Sequence, residues 1–383
     1  MSPHVRRLTT RLLFAFGSAA WLAASLHAAP PAPHKVANLP ALRPLPMSAC
    51  GRMLVTPAAS AGSFGGQDST SQWPGSYFRA AFRGPAVYFR VVRGDEILHV
   101  VVDDQPAVAL ARPEAAVYAV DRLGKGHHTI GVFVATESQD GPDTFGGFAI
   151  PTGEKALSLP PRHRQIEFIG DSHTVGYGNL SPRHECTADE VRADTDDTSA
   201  FGPILARHYD ADYQVNAISG RGVVRNYNGA AAATLPEAYP FVLFDGKQPY
   251  SDPAWKPAVL VIALGTNDFS TPLHSGERWK TRDELHADYE ATYVRFLGDL
   301  RARNPRADLI VWATDMANGE IATEAGKVVE QRRSQGDAHI TFLAIRNLSF
   351  GACNWHPSLG DEQRIADQLM RVIDQDPQVW QNP

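Results

Sequence analysis

Between residues 50 and 152 the apolar positions fall in short alternating runs: Tyr77 to Phe82, Val87 to Val92, Ile97 to Val102, Val117 to Val120 and His128 to Val134. Turn residues such as Arg93-Gly94-Asp95 and Gly124-Lys125-Gly126 separate them. A period of two buries one face of each strand, and strands repeated at this spacing predict an antiparallel β-sandwich. The texture then changes. Buried-type strands occur at Gln165 to Ile169, Tyr213 to Ile218, Ala258 to Leu264, Asp308 to Thr314 and Ile340 to Ile345. Helical spacing appears at Asp283 to Arg303, through Leu285, Tyr289, Phe296, Leu297 and Leu300, and at Ser358 to Ile373, through Ile365, Leu369 and Ile373. Strands alternating with helices predict a parallel sheet wrapped by helices. The chain thus reads as two domains, a β-sandwich over 47–158 and an α/β domain with a central parallel sheet over 159–383, divided by a polar segment containing Pro160-Pro161.

Two N-terminal segments precede these domains. Arg6, Arg7 and Arg11, an apolar run from Leu12 to Leu26 and Leu26-His27-Ala28 before Ala29 read as a secretory signal peptide over residues 1–28. The run is short for a membrane-spanning helix, and no other segment is apolar enough for one. Residues 29–46, with Pro30, Pro31, Pro33, Pro40, Pro44 and Pro46, read as an extended tether. Secretion or a periplasmic location is therefore expected. Losing residues 1–28 removes three arginines and no acid, so 33 basic residues face 42 acidic ones, a net charge of −9. That balance disfavours nucleic acid and anionic membrane surfaces as partners, and a monomer is expected. Cys50, Cys186 and Cys353 allow at most one disulfide. A Cys186–Cys353 bridge would join the two loops that carry the candidate chemistry, and three unpaired thiols is the alternative.

That chemistry begins at Gly170-Asp171-Ser172, a serine on a turn directly after an apolar strand. Gly265-Thr266-Asn267-Asp268 and Trp355-His356-Pro357 follow in chain order. In parallel sheets ligands bind beyond the carboxyl ends of strands, where Ser172, Gly220 and Asn267 all fall. Acyl transfer needs a nucleophile, a base and oxyanion donors. Ser172 would attack and His356 would serve as base and then acid. The Ser172 and Gly220 N–H groups and the Asn267 side-chain amide would receive the oxyanion. Taken singly, each residue also fits a bland role as a turn, cap or structural histidine. Three strand ends presenting fitting residues together favour a serine esterase.

These blocks resemble the SGNH, or GDSL-like, hydrolase superfamily, whose four named residues map onto Ser172, Gly220, Asn267 and His356. Further segments are similar to carbohydrate esterase family 2: Trp73 to Phe78, Val100 to Asp104, Gly126 to Thr129, Glu137, Phe145 to Phe148, Gly176 to Asn179, Ser219 to Gly222, Arg225 to Tyr227 and Leu235-Pro236. The resemblance runs from about residue 50 to the C-terminus. It implies an N-terminal jelly-roll β-sandwich, a C-terminal SGNH hydrolase domain, and removal of acetyl groups from plant cell-wall polysaccharides such as xylan or glucomannan without a metal or other cofactor.

The superfamily usually places Asp three residues before the histidine, and Cys353 stands there. Some members of the resembled family lack that Asp and orient the imidazole with a backbone carbonyl, so a Ser172–His356 dyad is expected, with Asp171, Asp268 or Asp315 as alternative orienters. Trp355 and then Trp279 are the candidates for packing on a sugar face, against the alternative that they fill the core. Arg225, Asn226 and Tyr227 are candidates for the same cleft. No histidine pair has metal-ligand spacing; His163, His173, His184 and His208 read as solvent-facing. Two competing readings stay open: a carbohydrate-binding protein with weak or lost esterase activity, or an SGNH esterase acting on a lipid or other small acyl ester.

Overall fold

The computed structural model describes residues 31–58, 63–139, 141–376 and 378–381. The candidate signal segment lies outside them. The first half folds as two antiparallel sheets. One runs His34–Lys35, Ala116–Val120, Val87–Arg93, Asp143–Pro151, Gln67–Ser71, Met53–Pro57, with Leu42–Leu45 added to Asp143–Pro151. The other runs Lys155–Leu157, Tyr77–Arg83, His127–Val134, Ile97–Val102, Val108–Ala111, with Ser48–Cys50 added to Tyr77–Arg83. Phe78, Phe82, Phe89, Val100, Ile130, Phe145 and Phe148 fill the space between the sheets, which is why inward positions alternate with exposed ones along each strand.

The segment expected as a tether is part of this fold. His34–Lys35 pairs with Ala116–Val120, and Leu42–Leu45 lies antiparallel to Asp143–Pro151. Pro44 is tolerated because Leu42–Leu45 pairs on one side alone, so the missing N–H leaves no partner stranded.

The second half carries a five-stranded parallel sheet in the order Ala211–Ala217, Arg164–Gly170, Val259–Ala263, Asp308–Thr314, Ile340–Ile345. Its strands are buried on both faces, except for the partly exposed edge strand Ile340–Ile345. Leu260 and Ile262 point to the layer formed with helices Arg282–Arg303 and Glu320–Ser334, while Val259 and Val261 point to the layer formed with Phe201–His208 and Leu359–Ile373. The first strand in sequence, Arg164–Gly170, sits between the second and third, so the chain leaves it in one direction and returns on the other side. A crevice opens at the carboxyl end of such a strand.

The two halves lock together through buried polar groups. Arg52 enters the α/β half, where its guanidinium lies 3.2 Å from Glu167 Oε1 and stacks on Tyr239 at 4.1 Å and Tyr250 at 4.5 Å. Tyr77 donates to Asp212 at 2.6 Å, and Cys50 Sγ to the Tyr213 carbonyl at 3.1 Å. A pair buried this deeply resists separation, because removing one partner strands the other charge at a cost of about 3–5 kcal/mol.

Candidate active site

Ser172 opens the short helix Ser172–Val175, directly beyond strand Arg164–Gly170. Asp171 caps that helix by accepting the His173 N–H at 3.1 Å. Gly170 is required by close approach: a Cβ there would lie 2.0 Å from Thr174 Oγ1 and 3.0 Å from the Ala263 carbonyl. The tight turn brings the Ser172 hydroxyl to 2.8 Å from His356 Nε2, although 184 residues separate them.

The other imidazole nitrogen, Nδ1, faces the Cys353 carbonyl at 2.9 Å and the Asn354 carbonyl at 3.1 Å. Two acceptors there require Nδ1 to carry the proton, which leaves the Nε2 lone pair for the Ser172 O–H. None of the three candidate aspartates meets the imidazole. Asp171 is committed to the His173 N–H and, at 3.1 Å, to the Asn267 amide. Asp268 accepts the N–H groups of Val223, Val224 and Arg225, each at 2.9 Å, and so shapes the loop beyond Gly220. Asp315 has no bond to His356.

The His356 loop is held from several sides. Cys353 and Cys186 form a disulfide with Cα atoms 5.5 Å apart. Asn354 Nδ2 donates to the Tyr177 hydroxyl at 3.2 Å, and the Tyr177 ring lies 4.3 Å from the imidazole. Asn354 and Trp355 both adopt positive φ, +50° and +57°, a strained geometry that surrounding contacts must enforce. Asp194 lies beside the two cysteines in what would be a three-ligand cluster, but both sulfurs are consumed by the disulfide.

Burial pushes the His356 imidazole down to about 4, while the two carbonyls pull it back up. His173 is buried rather than solvent-facing; it lies 5.4 Å from the His356 ring, and burial takes it down to about 3. A general base works in its neutral form, so protonation at low pH removes activity. We expect kcat/KM to fall as pH drops through about 4, where a solvent-exposed histidine would lose activity near its ordinary value of about 6.5. A pH–rate profile with a small acetyl ester checks this.

The oxyanion candidates surround the same point. Gly220 adopts φ +79° beyond strand Ala211–Ala217, and Asn267 lies in the first turn after Gly265, beyond strand Val259–Ala263. Asn267 Nδ2 donates to Asp171 Oδ2 at 3.1 Å and to the Arg221 carbonyl at 2.8 Å, so both amide hydrogens are engaged in the resting protein. Burial raises the Asp171 carboxyl to about 7, with the His173 N–H bond pulling the other way.

Ser172, His356, Gly220 and Asn267 share a cleft of about 590 Å³ with Tyr227, Trp355, Asn354, Tyr177, Ser219 and Gln139. Trp355 is 57% exposed and stacks on His184 with ring centres 4.9 Å apart, so it offers a free aromatic face. Tyr227 is also exposed. Three other expected residues are elsewhere. Arg225 is buried, paired with Glu277 at 2.6 Å and bonded to the carbonyls of Asp268, Thr271 and Pro272. Asn226 spends its side chain on the Gly222 N–H and the Ala230 and Ala232 carbonyls. Trp279 packs on the α/β core, with its Nε1 bonded to Asp288. Tyr177 and Gln139 are cleft residues that site reasoning from sequence missed. Tyr177 was marked by its Gly176-Tyr177-Gly178 setting, whereas Gln139 comes from the β-sandwich and carries no local signal.

Residues 64–160 match the carbohydrate esterase 2 N-terminal family model, and residues 168–370 match the GDSL-like lipase/acylhydrolase model. An acetylxylan esterase / glucomannan deacetylase of Cellvibrio japonicus is 44% identical over 340 residues, covering 88% of this chain and 93% of that protein. The chain belongs to carbohydrate esterase family 2. A solved carbohydrate esterase, described as having divergent catalytic and non-catalytic binding functions in its active site, superimposes on this esterase with a TM-score of 0.83 at 42% identity, covering 88% of this chain and 100% of that one. A family two carbohydrate esterase from Clostridium thermocellum, solved with cellohexaose, gives a TM-score of 0.73 at 26% identity, covering 86% and 98%. The β-sandwich followed by an SGNH hydrolase domain is therefore the family architecture.

Proposed function

We propose that this esterase removes O-acetyl groups from xylan- or glucomannan-type polysaccharide through an acetyl-enzyme on Ser172. The observation that carries the mechanism is the 2.8 Å Ser172–His356 contact with Nδ1 held by two carbonyls. His356 Nε2 takes the Ser172 proton as Oγ attacks the acetyl carbonyl. The oxyanion is received by the N–H groups of Ser172 and Gly220 and by an Asn267 hydrogen released from Asp171 or the Arg221 carbonyl. The imidazolium then protonates the departing sugar oxygen. Water, activated in the same way, releases acetate and restores Ser172. Carbonyl orienters fix the imidazole tautomer as an Asp would, but supply less charge to the imidazolium.

The substrate assignment is supported by the acetylxylan esterase / glucomannan deacetylase relative and by the Trp355 face beside the nucleophile, suited to the C–H surface of a sugar ring. Export of a monomer through the N-terminal segment is part of the proposal, and the Cys186–Cys353 disulfide supports an oxidising compartment. Glycan binding without turnover is the second reading, favoured by the uncharged surroundings of His356 Nδ1.

Acetate release from acetylated xylan and glucomannan, alongside acyl esters of increasing chain length, tests the assignment. The expected result is acetate from the polysaccharides and a steep decline beyond acetyl. Retention on polysaccharide with no hydrolysis of any ester would replace it with the binding reading. A preference for long acyl chains would replace it with the lipid reading.

A further inference from the structure

The cleft is not built by the hydrolase half alone. Beyond strand His127–Val134 the β-sandwich sends residues 135–139 along the Ser219–Gly220 turn. Glu137 Oε2 accepts the Ser219 N–H at 3.0 Å. Gln139 Nε2 donates to the Ser219 carbonyl at 3.2 Å and to Glu137 Oε2 at 3.3 Å. Both backbone polar groups of Ser219 are thus held by side chains from the other domain.

The Ser219 carbonyl and the Gly220 N–H belong to one peptide unit. That unit is planar and trans, so its C=O and N–H point in opposite directions. Fixing the carbonyl on Gln139 therefore fixes the direction of the Gly220 N–H. A hydrogen bond accepted by the carbonyl also polarises the unit and strengthens the N–H as a donor. Left to itself, a glycine at φ +79° has the freedom to rotate this peptide away. The 135–139 segment is anchored in turn: the Ala135 carbonyl accepts the Asp197 N–H at 2.7 Å, Thr136 Oγ1 accepts the Ile97 N–H at 3.0 Å, and the Ser138 carbonyl accepts Gln72 Nε2 at 3.1 Å.

We propose that Glu137 and Gln139 are positioning residues for deacetylation, which aim the Gly220 N–H at the oxyanion and make the β-sandwich a working part of the active site. This rests on the reading of Gly220 as an oxyanion donor. Burial leaves the Glu137 carboxyl above its ordinary value, opposed by its bonds from Ser219 and Gln139 and by the nearby Arg221 charge, as fits a carboxylate spent on a turn rather than on solvent.

Gln139→Ala, Gln139→Glu and Glu137→Gln in the full protein test the proposal, with Ser172→Ala as reference. Gln139 is exposed, so its variants are expected to fold. Removing the restraint should lower kcat roughly 10- to 100-fold, below the loss seen when an oxyanion donor is deleted outright, with KM for an acetylated oligosaccharide nearly unchanged. Affinity for a boronic acid, which mimics the tetrahedral state on Ser172, should fall in parallel. Glu137→Gln keeps an acceptor oxygen and should retain more activity than either Gln139 variant. Wild-type kcat and boronate affinity in all three would overturn the proposal, and so would a change confined to KM, which would make Gln139 a sugar contact. Full activity in Ser172→Ala would instead bring down the underlying reading of the site.

Discussion

Ser172→Ala and His356→Ala are each expected to lower acetate release by on the order of 10⁴-fold or more, and the double variant is expected to be no worse than either single one. The nucleophile and its base act as one unit. Without Nε2 at 2.8 Å the hydroxyl keeps its proton, and without the hydroxyl the imidazole has nothing to activate. Residual turnover then comes from the oxyanion donors and the bound geometry, which neither substitution touches. Kinetics on a small acetyl ester, with circular dichroism to confirm folding, check the expectation. Losses that multiply in the double variant would show two independent contributions and rule out the dyad.

Opening the Cys186–Cys353 disulfide, by Cys186→Ser or by reduction, is expected to lower kcat about 10-fold or more at temperatures where the protein stays folded. His356 takes its orientation from the carbonyls of Cys353 and Asn354, so its aim is only as good as the fixity of that backbone. Asn354 and Trp355 hold positive φ, and the bridge is the covalent member of the set of contacts that keeps them there. With an Asp in place of Cys353 a side chain would do the orienting and the loop could loosen at less cost; here backbone position and imidazole position are the same variable. A misplacement near 1 Å is enough for losses of about 10²-fold. Closing 167 residues of chain also stabilises the fold by about 2–5 kcal/mol, so the melting temperature should fall as well. Thiol titration with steady-state kinetics makes the measurement. A lower melting temperature with wild-type kcat would confine the bridge to stability.

The strands legible in the sequence were those whose own side chains declare burial. Val259–Ala263 and Asp308–Thr314 lie inside the parallel sheet, and Ile97–Val102 alternates cleanly against the sandwich core. Gln67–Ser71 is polar throughout and Leu42–Leu45 contains proline; their pairing is dictated by neighbours far along the chain, so no local pattern marks them. Asp143–Pro151 is interrupted by a register shift at Gly146-Gly147, which breaks the period of two. At the site, Ser172, Gly220 and Asn267 were readable because they fall just beyond strand ends, Trp355 because it adjoins the histidine, and Tyr227 because it follows Gly220 in a block similar to the family's. Arg225 and Trp279 were misplaced because residue type does not reveal a distant partner. Glu277 lies 52 residues from Arg225 and draws it inward. Gln139 was out of reach for the same reason in reverse, since the turn it serves belongs to another domain.

Glu167 lies in the middle of the strand that delivers the nucleophile, and among the described residues its paired cation, Arg52, comes from the other half of the molecule. Tyr239, Asn216 and Trp255 complete its hydrogen bonds but bring no charge. The chain can be divided near residue 160 on paper, yet a hydrolase half inherited alone would carry a buried carboxylate without its paired cation in the middle of its own nucleophile strand. What recombination can pass on intact is the pair, which makes the sandwich a poor candidate for exchange with unrelated modules.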